Sequence, residues 1–223
     1  MPADSFLFPC GYFIISGMKN TDKTKPFYDP ESILVVVNKK CAWPNGYVPK
    51  DLVPASGIEN RIQSWTLRRE AAEALAAMAK AAAEENVRLM IQSGYRDTDF
   101  QRICFEKSCR DFGFEQTLLY SAKPGHSEHH TGLAVDFDTE VHSVDLTEAF
   151  EDTVQSAWLR KHAHEFGFIL RYPMGKKTIT GYAYEPWHYR YIGKKEAAKM
   201  YAAGETVTME EFYGIPGGDY EEM

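Results

Sequence analysis

Residues 132–138 read Gly132-Leu133-Ala134-Val135-Asp136-Phe137-Asp138. The alternation predicts a strand with Leu133, Val135 and Phe137 on one side and two carboxylates, Asp136 and Asp138, on the other. A carboxylate on the inner face of a strand is expensive unless it is paired or bound to a cation. A chain carrying this segment must therefore gather positive groups or a metal ion at one face of a sheet.

Histidine supplies the first candidates. The chain has 7, and three of them crowd into Gly125-His126-Ser127-Glu128-His129-His130, just upstream of the strand. A His on that loop and an Asp on the strand can converge on one ion, and zinc accepts mixed nitrogen and oxygen ligands. Far downstream stands Tyr184-Glu185-Pro186-Trp187-His188. In a regular strand Glu185 and His188 would point oppositely, but Pro186 disfavours regular pairing, so a bulge or turn can bring both to one site. A catalytic zinc needs three protein ligands, an open position for water and a nearby base. His129, Asp136 and His188 supply the ligands, with Asp138 competing on the same strand face, and Glu185 supplies the base. Each residue alone also has an ordinary structural reading, and a lone Glu-x-x-His is a weak signal. His126 and His130 border the site as neighbouring or surface residues. His162, spaced four from both Trp158 and Phe166, reads as a core or helix-end residue. His142 and His164 are expected to be exposed.

The bulk properties narrow the class. A formal charge of -7 argues against nucleic acid as a partner, since that needs a basic face. No apolar run approaches the roughly 20 residues of a membrane span. The N-terminus lacks the basic start and apolar stretch of a secretory signal. The four cysteines, Cys10, Cys41, Cys104 and Cys109, include no CxxC pair, which disfavours a zinc ribbon. Cys10 with Cys41 could form a disulfide, and free thiols are the competing reading.

Residues 1–31 read as an N-terminal arm, 32–213 as one catalytic domain and 214–223 as an acidic tail that frays. Ile33-Leu34-Val35-Val36-Val37 predicts a buried strand. A helix is expected over 66–85 with Thr66 as N-cap and an apolar stripe of Leu67, Ala71, Leu75, Met78 and Ala82. Strands are expected at 87–91, 168–172 and 178–184, the last two paired through the Lys-rich turn. A second helix starts near Asp97, with Phe100, Ile103 and Cys104 inward, and stops near Gly113. A third spans 154–166 and stops at Gly167. Two short helices close the chain, the second with a Thr208-x-x-Glu211 capping box. Strands and helices mix without a βαβ rhythm, so the fold class is α+β.

With these residues on the page, the chain resembles a known family. Ser127-x-His129-x-x-Gly132-x-Ala134-x-Asp136, followed by Glu185-x-Trp187-His188, is similar to the paired signature of the zinc D-alanyl-D-alanine peptidases, which include vancomycin-resistance carboxypeptidases and dipeptidases. Gln92-Ser93-Gly94-Tyr95-Arg96 with Gln101, the 167–173 and 179–182 segments, and Arg190-Tyr191-Ile192-Gly193 extend the resemblance over about residues 32–213. It implies a small central antiparallel sheet flanked by helices, the hedgehog-like fold of these peptidases. It selects Asp136, with His129 and His188, as zinc ligands and Glu185 as base. Arg96 is then expected to bind substrate or stabilise the oxyanion, and Ser127 and Gln101 to hold the substrate's terminal carboxylate. The implied activity is a D,D-carboxypeptidase acting on peptidoglycan stem peptides. A D,D-dipeptidase, an L,D-carboxypeptidase, a phage-type endopeptidase and a non-catalytic metal-stabilised binding module are the alternatives. The resemblance further implies a monomer at the cell envelope or outside it, its leader or anchor absent from this chain, with a cytoplasmic enzyme as the alternative.

Overall fold

The structure is a computed structural model that describes residues 26–61, 63–140 and 146–221. Along these residues the elements run β1 (Leu52–Pro54), β2 (Glu59–Asn60), β3 (Thr66–Arg68), α1 (Arg69–Glu84), β4 (Met90–Ser93), α2 (Thr98–Phe112), α3 (Phe114–Tyr120), β5 (Ala134–Asp138), α4 (Val154–His162), β6 (Phe168–Leu170), α5 (Lys177–Thr180), β7 (His188–Tyr191), α6 (Lys194–Ala203) and α7 (Met209–Tyr213). The expected α+β class is observed. β1 and β3 form a small antiparallel ribbon, and a five-stranded sheet has the order β2-β4-β5-β7-β6. Every pair in that sheet is antiparallel except the short β2–β4 contact, which is parallel.

The central strand β5 sits between β4 and β7, and its alternation divides the sheet. Val135 faces Tyr189 across the β5–β7 ladder, and Phe137 faces Ile91 across β4–β5. These side chains join one apolar core with the α1 stripe of Ala71, Leu75, Met78 and Ala82, all fully buried. The spacing of that stripe places it on one helix face, so burial follows from sequence period. A second apolar cluster, containing Val36, Cys41, Ile169, Ile192, Met200, Met209 and Ile215, packs α6 and α7 beside β6, with Phe27 against it.

Several elements differ from the sequence expectation. Ile33–Val37 is buried at its centre but is not a strand. The Arg190 guanidinium takes the Ile33 and Val35 carbonyls at 3.0 and 2.6 Å, so a side chain rather than a neighbouring strand satisfies them. Thr66 belongs to β3, where it pairs with Pro54, and helix α1 begins three residues later without a side-chain cap. Residues 178–184 do not form a strand, and β6 pairs with β7 instead. The Lys176 carbonyl accepts from both Ile179 N and Thr180 N, which winds α5 despite its β-branched residues. On α2, Phe100 and Ile103 are 39% and 53% exposed, Cys104 is half-buried, and the buried residue is Gln101. His164 is half-buried and stacks on Tyr201 at 3.6 Å, whereas His142 lies outside the described residues. His162 stacks on Trp158 at 4.9 Å. Among the described residues Cys41, Cys104 and Cys109 form no disulfide, and the expected Cys10–Cys41 pairing involves Cys10, which lies outside the described residues. The tail is docked as far as it is described: Asp219 pairs with Lys39 at 2.8 Å, and the Tyr220 hydroxyl accepts from Lys123 N at 2.9 Å.

Three helix boundaries follow the local signals. Asp97 caps α2 by accepting from Phe100 N, and the Thr208–Glu211 box caps α7. Beyond α4 a 3-10 turn, Ala163–Phe166, ends on Gly167 at φ +91°. A Cβ at Gly167 would lie 2.7 Å from Tyr191 Cε2 and 2.9 Å from Lys194 N. Gly167→Ala is therefore expected to destabilise the protein by about 1–3 kcal/mol, which combines αL strain with a backbone clash. Thermal unfolding checks this, with a fall in Tm of about 2–4 °C per kcal/mol expected for a chain of this size.

Candidate active site

The polar face of β5 carries the site. Ser93 on β4 and His188 on β7 are both in register with Asp136 on β5, so three polar residues form one row across three strands. His129 reaches the same row from the 3-10 turn Glu128–Thr131, which Ser127 caps by accepting from His129 N. Gly132 ends that turn at φ +65°, and a Cβ there would lie 2.8 Å from Leu52 Cδ2. This packing accounts for the glycine between the loop histidine and the strand. Glu185 and His188 are brought together by a turn, closed by His188 N donating to Glu185 O at 3.1 Å.

The buried side chains of His129, Asp136 and His188 offer ligand atoms that all lie within 4.8 Å of one another. His129 Nε2 is 3.1 Å from Asp136 Oδ2, and His188 Nδ1 is 2.9 Å from Asp136 Oδ1. Two imidazoles and one carboxylate are a donor set that zinc accepts, so the residues present fit that ion. The other nitrogen of His129, Nδ1, is 2.7 Å from the Gly94 carbonyl. That contact fixes the tautomer and leaves Nε2 for a ligand. Asp138, the competing carboxylate, is instead engaged by Arg61 and accepts from Thr139 N at 2.7 Å.

Glu185 Oε2 is 3.7 Å from His188 Nδ1, and Arg96 Nη2 is 3.7 Å from Asp136 Oδ2. Arg96 Nε is buried without a hydrogen-bond partner, as is Ser93 Oγ, a residue that sequence reasoning did not single out for the site. Gln101 is buried and donates from Nε2 to Ala122 O at 2.8 Å, while its Oε1 has no partner. Ser127 is buried two residues before His129 and meets it through the hydrogen bond from His129 N to Ser127 Oγ, whereas Gln101 Nε2 is bound to Ala122 O. His130 hydrogen-bonds the Arg96 carbonyl at 2.7 Å and accepts from Gly125 N, and His126 bonds Asn38 O. Both therefore serve the loop. The Tyr172 ring packs on His188 at 4.8 Å.

Sequence reasoning also missed a buried ionic cluster behind His188. It comprises Glu128, Arg171, Arg190 and Glu210, every one almost completely inaccessible. Glu128 falls at a position the loop motif leaves unspecified, and the other members of the cluster, Arg171, Arg190 and Glu210, lie far away in sequence, so spacing gave no cue.

The electrostatics separate the two carboxylates nearest the histidines. Burial works against ionising Asp136, but His129 and His188 outweigh it and hold Asp136 well below the usual carboxylate range. Burial pushes Glu185 up to about 8, with Asp136 adding to the rise and His188 opposing it. Burial alone would lower His188, yet its hydrogen bonds to Asp136 and Glu128 lift it to about 9. Burial, together with Arg96, pushes His129 below its ordinary value. Two neighbouring carboxyl groups driven apart in this way can divide ligand and acid–base duties.

A mixed sheet that gathers two histidines and an aspartate able to hold a metal ion, with a buried glutamate beside them, is an arrangement suited to a metallopeptidase. Comparison with known proteins narrows that class. Residues 64–194 match the family described as VanY: D-alanyl-D-alanine carboxypeptidase. This chain belongs to that family and is a peptidase. A relative from Bacillus subtilis (strain 168), "Putative carboxypeptidase YodJ", is 41% identical over 199 residues, covering 88% of this chain and 72% of the relative. Among solved structures, the LD-carboxypeptidase LdcB superimposes with a TM-score of 0.75 at 40% identity, covering 84% of this chain and 88% of LdcB. A mutant of the vancomycin-resistance D,D-pentapeptidase VanY, in complex with Zn(II), has a TM-score of 0.67 at 28% identity, covering 83% of this chain and 99% of VanY.

The buried Glu185 makes a stability prediction. Its folded-state value lies above the ordinary 4.5, so the native carboxyl stays protonated while the unfolded chain ionises. Its contribution therefore declines as pH rises from about 4.5 to about 8. In the presence of a chelator, Glu185→Gln is expected to match wild type near pH 4.5 and to exceed it above pH 8, by an amount on the order of a few kcal/mol. Urea unfolding at the two pH values measures this, and an equal difference at both would refute it.

Proposed function

We propose that this protein is a zinc-dependent D,D-carboxypeptidase that releases the terminal D-alanine from peptidoglycan stem peptides. The observation that carries the reading is the convergence of His129, Asp136 and His188 on one point, with Glu185 beside His188. The Zn(II) complex of VanY, a relative of the same fold, supports zinc as the ion. In this reading His129 Nε2, Asp136 and His188 Nδ1 hold the metal. A zinc ion bound there supplies Lewis acidity, which lowers the pKa of water and polarises the scissile carbonyl.

The chain's own residues do the rest. Glu185 accepts a proton from the attacking water at its carboxylate and returns it to the departing amine of D-alanine. A carboxyl titrating near neutrality suits both halves of that transfer. Arg96 presents a guanidinium beside Asp136 and stabilises the oxyanion that develops on the carbonyl. Ser127 and Gln101 hold the substrate's terminal carboxylate, with Arg96 able to assist through its fork of donors. The buried walls around Glu185 and His188 limit water and strengthen each of these interactions.

A second reading is an L,D-carboxypeptidase acting on tetrapeptides, favoured by the likeness to LdcB at 40% identity. The same residues would serve, because both reactions release a carboxy-terminal D-alanine and differ in the residue before the scissile bond. Both readings place the work at the cell envelope, where stem peptides are exposed. Among the described residues no helix is long and apolar enough to cross a membrane.

Incubating the zinc-loaded protein with free D-Ala-D-Ala, a tetrapeptide and a pentapeptide separates the readings. D-alanine released from the pentapeptide alone supports the D,D-carboxypeptidase. Release from the tetrapeptide alone supports the L,D reading, and cleavage of the dipeptide alone makes the protein a dipeptidase. Glu185→Gln is expected to retain zinc while turnover falls by about 10²–10⁴-fold, the usual contribution of a general acid–base. His188→Ala is expected to lose zinc and activity together, and metal analysis of the purified variants distinguishes the two outcomes.

A further inference from the structure

We infer that Glu128 is a positioning residue that receives the Nε2–H of His188 and so commits the Nδ1 of that ring to the metal. The inference rests on the proposed zinc reading and extends it to a residue outside the ligand set. Glu128 lies next to the ligand His129 in the chain, yet it serves the other histidine, on β7. Its Oε2 is 3.4 Å from His188 Nε2, on the opposite side of the ring from Asp136.

The division of labour between the two oxygens of Glu128 carries the argument. Oε1 accepts from Arg171 Nε at 2.8 Å and from Arg190 Nη1 at 3.0 Å. Oε2 meets His188. The Oε1 half thus belongs to the ionic cluster, and the Oε2 half to the histidine. The cluster is charge-balanced: Glu210 takes the two remaining Arg171 nitrogens at 2.9 and 2.7 Å, giving two carboxylates and two guanidiniums, all buried. Arg190 spends its other donors on the carbonyls of Ile33, Val35 and Tyr191. Glu128 is therefore clamped by groups that cannot follow a ring rotation, and it fixes the plane of His188. Ala134 is in register with Arg190, so a methyl group stands opposite one of the two arginines of the clamp. His129 is oriented by a main-chain carbonyl and His188 by a clamped carboxylate. Each imidazole thus presents one defined nitrogen, Nε2 in the first case and Nδ1 in the second. A carboxylate partner raises the basicity of a ligating imidazole, and removing such a partner typically weakens metal binding by about 10–100-fold.

The test compares zinc affinity, by chelator competition, in wild type, Glu128→Gln and Arg171→Lys, with the thermal stability of each metal-free form. Glu128→Gln is expected to bind zinc about 10–100-fold more weakly. Arg171→Lys alters the same cluster but leaves Arg190 on Glu128 Oε1 and keeps the main-chain bond of residue 171 to His188 O, so it is expected to lose stability while keeping affinity within a few-fold. Equal affinity in Glu128→Gln and wild type, or losses in both variants that simply track stability, would overturn the inference. Should Glu128→Gln not fold, nitrogen-resolved NMR of the zinc-loaded wild type decides. A slowly exchanging Nε2–H on His188 supports the inference, and a His188 bound through Nε2 overturns it. Failure of wild type itself to bind zinc would instead remove the metal reading on which the inference rests.

Discussion

The structure depends on keeping an ionised carboxylate in the middle of a sheet. Asp136 stands on the central strand, nearly inaccessible, and a lone anion there would be heavily penalised. The fold surrounds it with His129, His188 and Arg96, each delivered by a different segment. The opposite face of the same strand is apolar and joins the α1 core. One five-residue strand therefore anchors both the hydrophobic packing and the polar site, and displacement of β5 would disrupt both at once.

The carboxylates around His188 differ in how well their charge is compensated. Glu185 has only partial compensation and is protonated more readily than an ordinary glutamate. Glu128, a few ångströms beyond His188, has two guanidiniums, which overcome the penalty of burial and keep it below the usual carboxylate range. Proximity to fixed cations thus separates a carboxyl suited to exchanging protons from one suited to holding position. Glu185, the base in the proposed reaction, is the carboxylate whose charge the fold favours least, as expected where function and stability compete.

Much of this was legible from the chain. The alternation from Leu133 to Asp138, the Asp97 and Thr208 caps, the α1 stripe and the stop at Gly167 act through local geometry, and local geometry is written in neighbouring residues. For the convergence of His129, Asp136 and His188, spacing offered both Asp136 and Asp138 as the carboxylate, and the resemblance to the zinc peptidases selected Asp136. Ile33–Val37 misled because β-branched, buried residues look the same whether a strand or the Arg190 guanidinium takes their carbonyls. Residues 178–184 misled because β propensity yielded to a turn closed on Lys176. The roles of Glu128, Arg171 and Glu210 were invisible because they exist only between distant segments.

Those distant segments have a consequence for how the protein comes into being. The cluster behind His188 joins residue 38 to residue 210, through Asn38 Nδ2 donating to Glu210 at 2.9 Å. Contacts of such separation close large loops and form late in folding. The strands of the sheet and α1 rest on contacts nearer in sequence than the one that links Asn38 to Glu210. Completion of the cluster that holds Glu128 beside His188 therefore requires residues as far apart as 38 and 210 to be present together.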